Sequence, residues 1–362
     1  MRQPLFRGLV VLLAVVLLIE GVTGQPNSVV DRIVVREGKK AGPTKTYEGT
    51  LVLDKAGLRV LSGERMVATL HPADVVKITV GELPGVDRSV MLSLFASEDK
   101  KTKKEYEATR LGYSELLKRS ASAPERSRRH LEYKVAAMTN KIADETPDDE
   151  GWAALAETAA QAWDQFLAQH RSGWEVWMAT QAYTRLLIET NGYDRVASVW
   201  TSLSKSSDLP PNLLQEAAMN AIDAQIRGGK ATATAEEAAR NLAKDALPGP
   251  IKDKLAIYEI TAKAMNSGNP LSGLKELEEK IAATKDSGVR ALAHAMRGEL
   301  YWRANKHREA MWEYLWVETV YNTDPVDVLK ALTRLAAVFK ALADDEQAKR
   351  YRDKILRLRA TF

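Results

Sequence analysis

The apolar positions change their period once along the chain. Between residues 29 and 81 they alternate with polar ones, as Val76, Ile78 and Val80 do with Lys77 and Thr79. Successive side chains of a strand point to opposite faces, so this alternation predicts half-buried strands. Five are expected, over residues 29–36, 47–53, 58–61, 66–70 and 75–80, with turns at Asp54-Lys55-Ala56-Gly57 and Ser62-Gly63. His71-Pro72-Ala73-Asp74 reads as a single helical turn before the last strand. Gly81-Glu82-Leu83-Pro84-Gly85 marks a boundary. Beyond it the period becomes that of a helix and stays so to the end. Val289, Leu292, Met296 and Leu300 share one face, and Leu329, Leu332, Leu335, Phe339 and Leu342 share another.

Residues 98–170 accommodate about three long helices: one running to Lys118, one following Pro124, and one starting at Pro147 with Thr146 as its cap. From residue 172 the breaks become regular. Ser172-Gly173, Pro210-Pro211, Gly249-Pro250, Ser287-Gly288 and Asp324-Pro325 stand about 38 residues apart, and each unit has a second break about 18 residues in. Those inner breaks are Asn191-Gly192, Gly228-Gly229, Ser267-Gly268, Asn305-Lys306 and Ala343-Asp344. A constant interval with one internal break means a helix pair repeated in tandem. Capping residues support the cut points: Asp324 before Pro325 with Asp327 in the first turn, Asn269 before Pro270, and Thr234 with Glu237 as a capping box.

The fourth unit resembles a tetratricopeptide repeat. Gly298 and Tyr301 on its first helix, and Ala310 and Tyr314 on its second, have the small–large spacing with which that family packs its two helices. Ala336, Phe339 and Ala348 repeat the pattern in the fifth unit. Gly273 and Leu277 follow it more loosely in the third, and Val196 and Trp200 in the first. The five short strands, with a turn before the fifth, are similar in order to an SH3-like or Sm-like barrel. The resemblances imply a mainly α protein: a right-handed α-α superhelix, or tetratricopeptide-like solenoid, over 172–362. Ahead of it would stand a small antiparallel β-barrel over 25–83, joined by N-terminal helices over 84–171.

The N-terminus changes the picture of where the protein works. Arg2 and Arg7 precede an unbroken apolar run over 9–19, and Val22-Thr23-Gly24 offers a cleavage site before Gln25. A run of about 11 residues is short of the roughly 20 that span a bilayer. Residues 1–24 therefore read as a signal peptide. The expected location is the periplasm, the cell envelope or the exterior, with membrane contact only through this segment if it stays uncleaved. The chain of 362 residues has no cysteine, so disulfides, thiolate metal sites and cysteine nucleophiles are excluded. Its net charge of +4 is spread over mixed acidic and basic residues, unlike the field of a nucleic-acid binder.

No enzyme motif emerges. The five histidines, His71, His130, His170, His294 and His307, lack zinc-helix spacing, so no metal and no cofactor are expected. Gly228-Gly229-Lys230 lacks the upstream glycine and the following Ser or Thr of a phosphate loop, and reads as an inter-helix turn. The stretch 146–157 has Asp148, Glu150, Gly151 and Glu157 at calcium-loop offsets, but Thr146 stands at the obligatory acidic position. Trp302, Trp312, Trp316, Trp174 and Trp177 are expected mainly in inter-helix packing. By the family resemblance, Trp302 would line a concave face together with Glu299, Arg303, Lys330, Arg334 and Lys340. Lys330 and Arg334 sit one turn apart, as in the family's carboxylate grips, but Ala295, Met296 and Glu299 occupy the positions of the other grip residues. The expectation is a non-enzymatic interaction or scaffold protein whose concave surface takes a protein or peptide. The alternative is a structural envelope component associated with an anionic polymer, held by the basic clusters at 100–104 and 126–129.

Overall fold

The computed structural model describes residues 30–36, 42–100, 102–147, 151–230 and 232–359. The signal-peptide reading of residues 1–24 lies outside them, as do Asp148 and Glu150 of the calcium-like stretch. The described residues are mainly α, 69% helical, with an antiparallel sheet ahead of a helical array.

The sheet comprises β1 (Asp31–Arg36), β2 (Thr44–Asp54), β3 (Gly57–Ser62), β4 (Arg65–Leu70) and β5 (Val75–Thr79), in the order β4-β3-β2-β1-β5. It is open, which corrects the expected barrel. The long β2 pairs with β1 through its first half and with β3 through its second, and β4 and β5 are left at opposite edges. The order of strands is the same in an open sheet and a closed barrel. Closure depends on strand tilt and stagger, which alternation does not encode. Ile33, Val35, Leu51, Leu53, Leu58 and Val60 form the buried face and join a core continuous with Val80, Leu83 and the first helices; Val76, placed with Ile78 and Val80 by alternation, is instead exposed on the edge strand β5. Asp31, buried at the start of β1, accepts from the amides of Leu51 (3.0 Å) and Gly81 (3.2 Å). It thereby ties the sheet to the chain leaving it. The turn after His71 is a 3-10 helix over Pro72–Asp74.

Four helices follow: α1 (Arg88–Glu98), α2 (Lys103–Arg119), α3 (Glu125–Asp144) and α4 (Trp152–Gln169). The last starts five residues later than Pro147. Thr146 does not cap it; its hydroxyl donates to the Ile142 carbonyl (2.7 Å) and closes α3 instead. Five helix pairs then occupy the predicted units: α5 (Trp174–Glu189) with α6 (Tyr193–Leu203), α7 (Pro211–Gly228) with α8 (Thr232–Asp245), α9 (Pro250–Asn266) with α10 (Leu274–Ala283), α11 (Ser287–Arg303) with α12 (His307–Thr319), and α13 (Pro325–Ala341) with α14 (Asp345–Arg359). Thr234 lies inside α8, which begins at Thr232, so the expected capping box there is not formed. Asp324 does cap α13, accepting from the amides of Val326 and Asp327.

Each pair turns on one left-handed residue at its inner break: Asn191 (φ 56°), Gly229 (75°), Gly268 (75°), Asn305 (58°) and Ala343 (60°). The helices end where the backbone reverses hand, and Gly and Asn do this at least cost. Packing within the fourth pair is the close approach its residues suggested. Gly298 faces the Tyr314 ring so tightly that a methyl group there would lie 2.6 Å from Cε1. In the fifth pair Phe339 stacks on Tyr351, with ring centroids 5.3 Å apart.

The array does not run straight. The first helix of the last pair, α13, packs on α5 of the first pair. At the end of α14, Arg359 is buried, with its Nε 2.7 Å from Glu189 on α5 and its guanidinium over the Trp152 ring at 4.3 Å.

Two substitutions test this packing. Gly298→Ala should lose about 1–3 kcal/mol by overpacking against Tyr314. Ala343→Gly should gain about 1 kcal/mol by relieving a left-handed alanine. Urea unfolding of both variants checks the opposite signs.

Candidate functional site

Charged side chains are gathered where the first helices of several pairs meet. On α7, Asp223 and Arg227 are one turn apart, among Ala217, Ala221, Ile222, Ala224 and Ile226, all buried. On α13, Lys330 and Arg334 are likewise one turn apart, among Leu329, Ala331, Leu332 and Leu335. Glu299 projects from α11 between them and is completely buried. Arg334 grips it with both ends of its guanidinium, Nε to Oε1 at 2.7 Å and Nη2 to Oε2 at 2.9 Å. Arg227 reaches the same carboxylate through Nη1 (3.2 Å) and holds Asp223 through Nε (3.0 Å). Lys330 closes the circuit, with Nζ 2.9 Å from Asp223 Oδ2. The Tyr314 hydroxyl donates to Glu299 (3.0 Å), and Arg334 lies over the Tyr193 ring (5.1 Å).

Removing charges from water is costly unless each is paired and hydrogen-bonded. Here pairing dominates. Burial pushes the Asp223 carboxyl up, but Arg227 and Lys330 outweigh it and bring it down to about 2. The same burial raises the Tyr314 hydroxyl far above its ordinary range, with Glu299 adding to the effect, so it stays a donor.

Of the six residues expected on a concave face, the structure brings Glu299, Lys330 and Arg334 together, and it buries them: their exposures are 0%, 8% and 6%. Their polar atoms are spent on one another and on Asp223 and Arg227. Trp302 is half-buried against His307, with ring centroids 5.0 Å apart. Arg303 is exposed overall but sends Nη2 to the Arg227 carbonyl (2.7 Å). Lys340 is exposed and apart from the network. Asp223 and Arg227 were not singled out from sequence. Their signal was present: an acid and an arginine at positions four apart on a face otherwise made of Ala and Ile.

An exposed apolar row lies elsewhere. Trp312, Trp316 and Val320, four residues apart in turn, run along α12 and its end, at 63%, 46% and 52% exposure. This departs from the expected inter-helix packing, which Trp174 and Trp177 do follow. Trp316 stacks on His294 (5.4 Å) and Tyr321 (6.2 Å), so the row has a rigid base.

Four of the five histidines pair with acids: His71 with Glu216, His130 with Glu175, His170 with Glu132 and His294 with Glu313. Among the described residues no three His, Cys, Asp or Glu side chains converge as metal ligands would. Gly228 and Gly229 end α7, and Lys230 pairs with Asp194. Among the described residues, no helix is long and apolar enough to cross a membrane. Neither a protein-family model, nor a curated protein, nor a solved structure matches the chain.

Two measurements test the buried network. Glu299→Gln leaves Arg334 without its counter-charge and Arg227 with Asp223 alone, and should cost about 3–5 kcal/mol in urea unfolding; a loss under about 0.5 kcal/mol would show that the pairs contribute nothing. Asp223 has a lower pKa folded than its ordinary 3.8, so the native state resists its protonation. Its stabilisation should be complete above about pH 4 and lost as pH falls towards 2. An Asp223→Asn variant should show a flatter stability–pH curve over that interval.

Proposed function

We propose that the chain is an exported, non-enzymatic interaction protein, built of tetratricopeptide-like helix pairs, which binds a protein or peptide partner. Export is the reading of the N-terminal arginines and the apolar run over 9–19. The observation that carries the binding role is the row of Trp312, Trp316 and Val320. A tryptophan held 63% exposed on a well-packed helix forgoes burial that its size would reward, and tryptophan anchors are the residues that dominate protein interfaces. The docking surface in this reading is the outer face of α12. The inner face, where the family's grooves lie, is occupied by the ion-pair network.

The alternative, attachment to an anionic polymer by the basic clusters, has less support. Arg129 is held by the buried Glu175 (3.2 Å) and is only 14% exposed, and the half-exposed Arg126 leans towards Asp31 (3.4 Å), so the cluster at 126–129 does not form an even row of free charges.

The test is capture from envelope extract by the full chain, compared with a Trp312→Ser/Trp316→Ser double variant. The expected outcome is a discrete partner retained by the wild type and weakened at least tenfold in the variant. Both changes are at the surface, so thermal stability should stay within about 0.5 kcal/mol. Identical retention by the two proteins would defeat the proposal.

A further inference from the structure

A cleft of about 670 Å³ lies where the sheet meets the helices. This is within the range of small-ligand sites, which favour junctions between structural units. One wall is the β2–β3 hairpin, from Leu51 to Ala56. The other is formed by Arg126 and Arg129 of α3, Ser172 and Gly173 before α5, Trp174 and Asp208.

Three cations line it, and each keeps unused donors. Lys55, at the hairpin tip, is exposed and has no partner among the described residues. Arg126 is 46% exposed, and among the described residues its one acceptor is Asp31 at 3.4 Å. Arg129 is held from behind: its Nε donates to Glu175 (3.2 Å), a carboxylate that is itself buried, while Nη1 and Nη2 have no acceptor among the described residues. A guanidinium fixed in this way presents two parallel N–H groups in the geometry that fits a carboxylate or phosphate.

The chain makes room for it. Gly173 has φ 100°, and a methyl group there would lie 2.7 Å from Arg129 Cζ. Any side chain at 173 would displace the guanidinium from the cleft. Gly173 also opens α5, a helix without a side-chain cap, whose first amides add positive potential on the same side. Of the two acids on the lining, Asp54 pairs with Arg59 and accepts from the Ala56 amide (2.9 Å), while Asp208, among the described residues, accepts only from the Ser207 hydroxyl (3.2 Å) and keeps its charge, leaving three cations against one unneutralised acid.

We propose that this cleft binds a small organic ligand through a carboxylate or phosphate group, gripped by Arg126, Arg129 and Lys55. The site is separate from the α12 row, so the inference does not rest on the docking role. Arg129, whose side chain is only 14% exposed, sits back from the rim that Lys55 and Arg126 form, an arrangement that suits a compact anion.

Isothermal titration of the full chain with glycerol phosphate and with a tetrapeptide bearing a free C-terminus separates the two anion sources. The expected result is saturable binding of at least one probe, weakened tenfold or more by Arg126→Gln and by Lys55→Gln. Lys349→Gln, an exposed change on α14, should leave it unaltered. Should Arg126→Gln prove unfolded by circular dichroism, Lys55→Gln decides alone, since Lys55 holds nothing in place. Failure of both probes to saturate, or binding indifferent to the cleft substitutions that fold, overturns the proposal.

Discussion

Charges taken out of water must find each other, and this requirement organises the helical array. Asp223 and Arg227 come from the second helix pair, Glu299 from the fourth, and Lys330 and Arg334 from the fifth. Apolar packing alone would tolerate sliding of one helix past another by a fraction of a turn. A two-pronged arginine–carboxylate contact does not. The network therefore fixes α7, α11 and α13 in one register. A well-packed apolar core of the same volume could be as stable or more so, so the arrangement is best understood as a device for specificity.

The repeat boundaries were legible because they are written in turn chemistry. The first helix of each pair gives way to the second at Asn191, Gly229, Gly268, Asn305 or Ala343, each at the inner break expected, and Pro, Asp and Gly mark most of the starts. The strands were legible from alternation. What was not legible depends on how elements curve. Strand order could not distinguish an open sheet from a barrel. The same is true of Glu299, Lys330 and Arg334: their positions on the inner faces of helices are set by spacing, but whether an inner face meets water or another helix depends on the path of the whole array. With α13 brought back against α5, that face meets protein.

The tryptophans of α12 illustrate a signal that could have been used. Ala310, Tyr314 and Val317 already complete an inward stripe, all with 0% exposure. Trp312 and Trp316 lie two residues beyond Ala310 and Tyr314, about 200° around the helix, and so cannot share that side. Tryptophan is commonly buried, and composition alone favoured packing; the geometry of the stripe argued for the opposite face. The sheet shares its core with the first helices, and a few polar contacts add to it: Asp31 to the Gly81 amide and to Arg126, Lys77 to Asp99, and His71 to Glu216 on α7. These make the junction a place where modest side chains govern the spacing of two large parts.

The contact of Arg359 with Glu189 joins residues 170 positions apart in the chain. In an open stack each pair needs only its neighbours, so evolution can add or delete units at either end with little penalty. Here the last pair also touches the first. Inserting or removing a pair between them would draw Arg359 away from Glu189 and leave two buried charges apart, so a change in the number of pairs carries a cost that a change in a loop does not.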